Sequence, residues 1–359
     1  MERLKVSAPG RICLFGEHQD FLGLPVIAAA INLRIWIEGR ARNDSTLSID
    51  MPDIGQHDCI ELDSEIIYKH KRDYLRSCVN VLRRKGWSLK HGYDCTVYGT
   101  IPINAGVSSS SALVIAWLKF LIEAAGLGNK FSPEDLARLG HQAEVLEFGE
   151  PGGMMDHFAA ALGGVIYVDC KPPFRAERLP VQLSGFVLAD SLQKKETLGV
   201  LAGSKTDVID GIAKLKELHP NFDLHKTPLS EVESLIGLLP ESSALKVKAN
   251  LINRDITVKA IKLLQGEFEP RKLGELLTRH HEQLRDGIRV STPKIDCMLQ
   301  EALEAGALGG KINGSGGGGC MFVYAPGHER EAAEALEMAG GKAYMITIDQ
   351  GARVEKASG

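Results

Sequence analysis

Four consecutive serines, Ser108 to Ser111, follow Pro102-Ile103-Asn104-Ala105-Gly106-Val107 and lead directly into an apolar stretch of helical character. Serine is a poor helix-interior residue but a good cap and first-turn residue. The run therefore predicts a strand, a tight glycine turn and a hydroxyl-rich helix start. Backbone N–H groups point outward from such an end, the helix dipole is positive there, and the hydroxyls add donors or a Mg²⁺ ligand. Together they make a cradle for phosphate. It is not the G-x-x-x-x-G-K-[ST] loop, since no lysine follows the glycine. A plain capped helix would account for one serine and accounts poorly for four.

Two further segments could approach a ligand. Asn313-Gly314-Ser315-Gly316-Gly317-Gly318-Gly319-Cys320 lies between elements, where stacked glycines commonly let backbone come close to a bound group; a flexible turn is the plainer reading. Gly10-Arg11 and Gly16-Glu17-His18-Gln19-Asp20 set polar and ionisable groups directly after an apolar strand, where they are costly to bury unpaired. They suit a hydroxyl-rich ligand or a solvated loop equally. Asp156, after Gly152-Gly153-Met154-Met155, is placed to be a general base or a helix N-cap, and Glu144 precedes it by twelve residues. Phosphoryl transfer needs a phosphate cradle, a metal ligand, a positive charge on the moving group and a base on the acceptor hydroxyl. The chain has a candidate for each.

The elements that must position these groups read as mixed α/β. Leu4–Ala8 and Ile12–Phe15 are strand-like on either side of the Pro9-Gly10 breaker, followed by Val26–Ile37, Thr46–Asp50 and Tyr93–Tyr98. Ile66–Arg84 has helical spacing, Ser110–Ala125 is an apolar helix, and Ser132-Pro133-Glu134-Asp135 opens another that carries Glu144. A strand at Gly163–Asp169 precedes a composition shift at Lys171-Pro172-Pro173. Helices are then expected at Leu229–Leu239, Ser243–Leu264, Arg271–Leu284, Lys294–Ala305 and His328–Met338, with strands at Cys320–Tyr324 and Ala343–Ile348. The expected domains are residues 1–180 and 181–359.

The 359 residues carry 42 Lys+Arg against 46 Asp+Glu, 44 % hydrophobic and 25 % charged residues. That composition excludes general disorder and argues against a nucleic-acid partner, which calls for a basic face. No apolar run reaches the ~18 residues of a membrane span, and the first residues lack a signal-peptide core. Seven scattered cysteines without a C-x-x-C pair suit buried thiols in a reducing cytoplasm.

In order, Ala8-Pro9-Gly10-Arg11 with Gly16-Glu17-His18-x-Asp20, then Pro102-x-x-x-Gly106-Val107-Ser108-Ser109-Ser110, then Gly314-Ser315-Gly316-Gly317-Gly318-Gly319-Cys320 resemble the three motifs of the GHMP kinases. The likeness spans residues 8 to 320 and is strongest to the galactokinase branch, through Arg11 and the Glu-His-x-Asp run. The resemblance implies two α/β domains with the active site between them and a left-handed crossover in the first. It implies Asp156 as base and Arg11 as transition-state stabiliser. Glu17, His18 and Asp20 would contact sugar hydroxyls. Asn104, Ala105, Gly106, Val107, Ser108, Ser109 and Ser110, with Gly314 and Gly316, would bind ATP, and Ser110 and Glu144 would hold Mg²⁺.

The chain departs from the galactokinase pattern at three points. Only four residues separate Asp20 from Pro25, Phe21 replaces a tyrosine, and Asp190–Asp207 contains no tyrosine where a sugar-contacting one is expected (Gly203-Ser204-Lys205-Thr206). The expected activity is an ATP-dependent sugar kinase acting on the anomeric hydroxyl. Leu14-Phe15-Gly16-Glu17-His18 suits a mevalonate kinase as the alternative, with a non-catalytic sugar sensor as a third reading.

Overall fold

The computed structural model describes residues 3–150, 152–194 and 197–356, with backbone alone at 197–204. Strands β1 (Arg3–Phe15), β2 (Val26–Ala41), β3 (Thr46–Met51), β4 (Gln56–Glu61), β5 (Tyr93–Gly99), β6 (Val165–Asp169) and β7 (Arg175–Arg178) belong to a first sheet. Its order is β1-β2-β5-β3-β4, with β6 paired to β2 and β7 outside β6. β3 and β5 are parallel. Strands β8 (Phe186–Asp190), β9 (Gly309–Ile312), β10 (Cys320–Tyr324) and β11 (Lys342–Ile346) form a second, antiparallel sheet in the order β11-β8-β10-β9. A last strand, β12 (Arg353–Val354), returns to pair with β1.

The first sheet is buried on both faces near its middle, which explains the unbroken apolar run Val26–Ile31. One face of β1 (Val6, Ala8) packs with α1 (Tyr74–Arg84), α2 (Ser109–Ala124), α3 (Pro133–Glu144) and α4 (Met155–Leu162), around Trp117, Phe120 and Phe158. The other face (Ile12, Leu14) meets helices of the second half and the second sheet, through Leu273, Leu277 and Phe322. The second half supplies α5 (Thr197–Leu218), α6 (Leu229–Ile236), α7 (Glu241–Gln265), α8 (Pro270–Glu282), α9 (Pro293–Glu304) and α10 (Glu329–Met338). The outer face of the second sheet is covered by α9 and α10.

Three expectations change. Pro9-Gly10 does not break the strand: β1 is continuous, with register shifts between Pro9 and Arg11 and between Cys13 and Phe15. Such irregularities re-aim side chains without ending the ladder. The helix expected from Ile66 starts at Tyr74, because Asp73 caps it by accepting from the Arg76 N–H. The short strands β4, β9 and β12 and the long α5 are additions to the expected elements. The capping box at Ser132 and Asp135 is formed as the residue pattern predicts. The seven cysteines are thiols, five of them buried. Among the described residues no helix is long and apolar enough to cross a membrane.

Candidate active site

Arg11 follows the irregularity in β1 and is 5 % exposed. Its Nε donates to Asp156 Oδ1 at 2.7 Å, its Nη2 to Asp156 Oδ2 at 3.1 Å, and its Nη1 to the Gly106 carbonyl at 2.6 Å. Asp156 is therefore gripped at both oxygens. It is not a helix cap: Met154 occupies the N-cap position of α4, and Asp156 lies in the first turn. Burial works to raise the Asp156 pKa, but the Arg11 charge and hydrogen bonds, with the Ser108 hydroxyl, hold it below the ordinary carboxylate value. It is ionised at neutral pH.

The serine loop comes to the same place. Asn104, Gly106 and Ser108 all have positive φ, which curls the chain before α2. Ser108 is the N-cap residue, yet its hydroxyl does not cap the helix. The first-turn N–H groups have no intrahelical partner and open onto the cleft beside exposed Ser110. The Val107 carbonyl accepts from the Arg11 N–H, and the Ala105 carbonyl from the Cys320 N–H, so the first and third motifs both hold the loop. Ser109 and Ser110 open α2.

Glu144 ends α3 and is 7 % exposed. His157 Nε2 lies 2.8 Å from its Oε2. Burial pushes the Glu144 pKa up, and His157 with the hydroxyls of Ser110 and Ser111 outweighs it, so the carboxylate stays charged. Among the described residues there is no cluster of three or more His, Cys, Asp or Glu with metal-site geometry. Magnesium is usually held by one or two carboxylates plus phosphate oxygens and water, so a charged Glu144 beside the Ser110 hydroxyl fits that ion.

Beside the serine loop, a cleft of about 300 Å³ is bordered by Arg11, Asp156, Glu17, His18, Asp20 and Lys205. His18 has φ 62° and a buried Nε2 with no hydrogen-bond partner among the described residues. Burial lowers its pKa, which keeps the ring neutral. Burial raises the Asp20 pKa, and Lys205 and a backbone hydrogen bond from Phe21 oppose the rise. A Cβ at Gly153 would lie 2.1 Å from Asp20 Oδ2, so a larger residue there would displace the Asp20 carboxylate. Lys205 Nζ stands 4.9 Å from the Phe21 ring centroid.

Glu17 borders the same cleft as His18 and Asp20, and its carboxylate also makes contacts within the chain. One carboxylate oxygen accepts from Lys311 Nζ and the other from the Gly314 N–H, and Lys311 is wholly buried. Gly314 borders the cleft, whereas Gly316 is turned onto Val290, whose carbonyl would be 2.5 Å from a Cβ there. Sequence reasoning missed His157 and Lys311 as parts of the site and reached Asn313 only as the first residue of the glycine-rich segment. Lys311 had one signal: a lysine among Gly309, Gly310 and Ile312, two residues before Asn313-Gly314, is out of place on a buried strand.

The chain is similar to known kinases in sequence and in fold. Residues 73–164 match the GHMP kinases N terminal domain, residues 260–342 the GHMP kinases C terminal domain, and residues 2–41 the galactokinase galactose-binding signature. The mevalonate kinase of Thermococcus sibiricus is 30 % identical over 98 % of each chain. The galactokinase of Pasteurella multocida is 29 % identical over 93 % of this chain and 88 % of its own. In fold, Lactococcus lactis galactokinase complexed with galactose superposes with a TM-score of 0.84 at 22 % identity, covering 98 % of this chain and 95 % of that one. Methanococcus jannaschii mevalonate kinase gives 0.75 at 19 %, covering 97 % and 99 %. Both halves of the fold are matched in order and near-full-length relatives reach 30 % identity, so the chain belongs to the GHMP kinase family, ATP-dependent phosphotransferases with an alcohol as acceptor.

Proposed function

We propose that this kinase phosphorylates a monosaccharide at its anomeric hydroxyl, using ATP and Mg²⁺. The observation that carries the reading is the two-point Arg11–Asp156 pair, set between the serine-loop helix and a polar cleft. In this reading the ionised Asp156 accepts the acceptor hydroxyl proton. Arg11 has five N–H groups; three are engaged within the described residues, and two remain to steady the transferring phosphoryl group. Asn104 to Ser110 and Gly314 cradle the phosphates, with Gly316 shaping the turn behind them. Ser110 and Glu144 hold the Mg²⁺, which neutralises phosphate charge when bound. His18 and Asp20, with Lys205, face the sugar hydroxyls. Residues 1–180 carry the first two motifs and 181–359 the third, with β12, among the described residues, as the strand that crosses back.

Support for a sugar comes from the galactose-binding signature over residues 2–41 and from Arg11 and Asp20. A mevalonate acceptor is the second reading, favoured by the Thermococcus sibiricus relative and by Leu14-Phe15-Gly16-Glu17-His18. The presence of Arg11, Asp156, Glu144 and an intact serine loop argues against a non-catalytic sensor. The test is ADP release with a panel of hexoses, uronic acids and mevalonate. A site built to hydrogen-bond hydroxyls rejects acceptors lacking them by about 10⁴-fold or more. Turnover of a monosaccharide with little on mevalonate is expected; robust mevalonate phosphorylation with no sugar turnover overturns the reading.

A further inference from the structure

We propose that Asn313 is a positioning residue for Arg11, acting through the Gly106 carbonyl; this rests on the role given above to Arg11. Asn313 is completely buried. Its Oδ1 accepts from the Cys13 N–H at 2.8 Å and its Nδ2 donates to the Gly106 carbonyl at 2.8 Å. Its own backbone N–H donates to the Cys320 carbonyl at 2.9 Å. One amide thus ties β1 to the serine loop from the strand end that begins the glycine turn.

The Gly106 oxygen is where the argument converges. It accepts from Asn313 Nδ2 and from Arg11 Nη1 at 2.6 Å. Gly314 presses on the same peptide, since a Cβ there would sit 2.6 Å from that oxygen. The Arg11 guanidinium is planar, so two contacts to Asp156 and one to Gly106 fix both its position and its rotation. If the Gly106 peptide turns, one of those three contacts is lost and the remaining N–H groups swing away from the phosphoryl position. Gly106 has φ 90° and lies between two other positive-φ residues, Asn104 and Ser108, and the carbonyls of its neighbours Ala105 and Val107 are held by the Cys320 and Arg11 N–H groups. Asn313 supplies a second donor that holds the oxygen toward Arg11. A site group displaced by about 1 Å can cost on the order of 10²-fold in rate.

The experiment is a double-mutant cycle of Arg11→Met and Asn313→Asp, reading kcat, KM for ATP, KM for the acceptor and melting. Ionised aspartate keeps the shape and the acceptor for the Cys13 N–H, loses the donor to Gly106 and adds a buried negative charge, which alanine does not add. Asn313→Ala is run beside it, and whichever variant melts as a folded protein completes the cycle. The expected result is a kcat loss of about 10- to 100-fold for the Asn313 variant with both KM values within about threefold. In the Arg11→Met background the same change should cost less than about threefold, because residues acting as a unit are non-additive. Losses that multiply in the double variant overturn the inference while leaving Arg11 its role. An Arg11→Met protein with near-normal kcat overturns the role of Arg11 itself. If neither Asn313 variant folds, Asn313 is structural and the inference fails.

Discussion

Replacing Asp156 by asparagine separates the chemistry of this carboxylate from its structural contacts. Arg11 holds the two oxygens at 2.7 and 3.1 Å. An amide in their place sets an NH₂ against an arginine N–H, so one contact survives at most. Removing one partner of a fully buried ion pair costs about 3–5 kcal/mol. Here the Asp156 side chain is 29 % exposed and Arg11 keeps the Gly106 carbonyl, so about 1–2 kcal/mol is expected, a loss of a few degrees in Tm. Turnover should fall far more, by roughly the 10²–10⁴-fold that general-base catalysis supplies. Titration calorimetry should still show ATP and acceptor binding, and a coupled ADP assay reads the rate. The stability difference has its own pH signature. The folded-state pKa of Asp156 is depressed, so its contribution is present above the unfolded value of about 3.9 and is lost as pH falls through the folded value. Wild type and Asp156→Asn should differ by a constant amount from pH 5 to 8 and converge below about pH 4. Near-normal turnover with normal melting would refute the base assignment.

Ser110→Ala should lower kcat on the order of 10²-fold and raise the Mg²⁺ needed for half-maximal rate, with Tm unchanged because Ser110 is exposed; unchanged kinetics would place the metal elsewhere. His157→Phe removes the partner 2.8 Å from Glu144, leaving burial to raise the Glu144 pKa. The Mg²⁺ requirement should then rise about 10- to 100-fold and grow further toward acid pH, and a pH-independent requirement would argue against this coupling. Glu17→Gln strands the fully buried Lys311 charge. It should cost about 3–5 kcal/mol, visible as a drop of several degrees in Tm. A raised acceptor KM at unchanged Tm would instead make Glu17 a substrate contact.

The parts of the site legible in the sequence are those that encode local backbone. Serines crowded at a helix start and glycines from Gly314 to Gly319 impose conformations that few other residues adopt, and the structure shows positive φ at Gly314 and from Gly316 to Gly319. The Ser132 capping box is legible for the same reason. Pro9-Gly10 misleads because propensity is local while a strand is decided by its partner: β2 carries β1 through the irregularity. Contacts across the chain have no local mark. Arg11 and Asp156 are 145 residues apart, and Asn313 lies 207 from Gly106.

Glu17 shows what residue type alone leaves out. In sequence it stands with His18 and Asp20 as one polar run, yet its carboxylate is committed 294 residues away to a lysine that could not be buried without it. In the proposed function, acceptor recognition at this end of the cleft also draws on His18, Asp20 and Lys205. His18 is neutral, and Lys205 opposes the burial-driven rise in the Asp20 pKa, so carboxylate and ammonium offset each other. A neutral polyhydroxy acceptor leaves that balance undisturbed and gives each group a hydroxyl to meet. An acceptor with its own carboxylate adds a negative charge near Asp20 and Asp156, a repulsion that falls off slowly in a partly desolvated cleft. The same balance makes Lys205→Met the variant that should separate the two classes: removing the cation should weaken use of a carboxylate-bearing acceptor more than tenfold relative to a neutral sugar. Equal losses on both would show that Lys205 does not discriminate between them by charge.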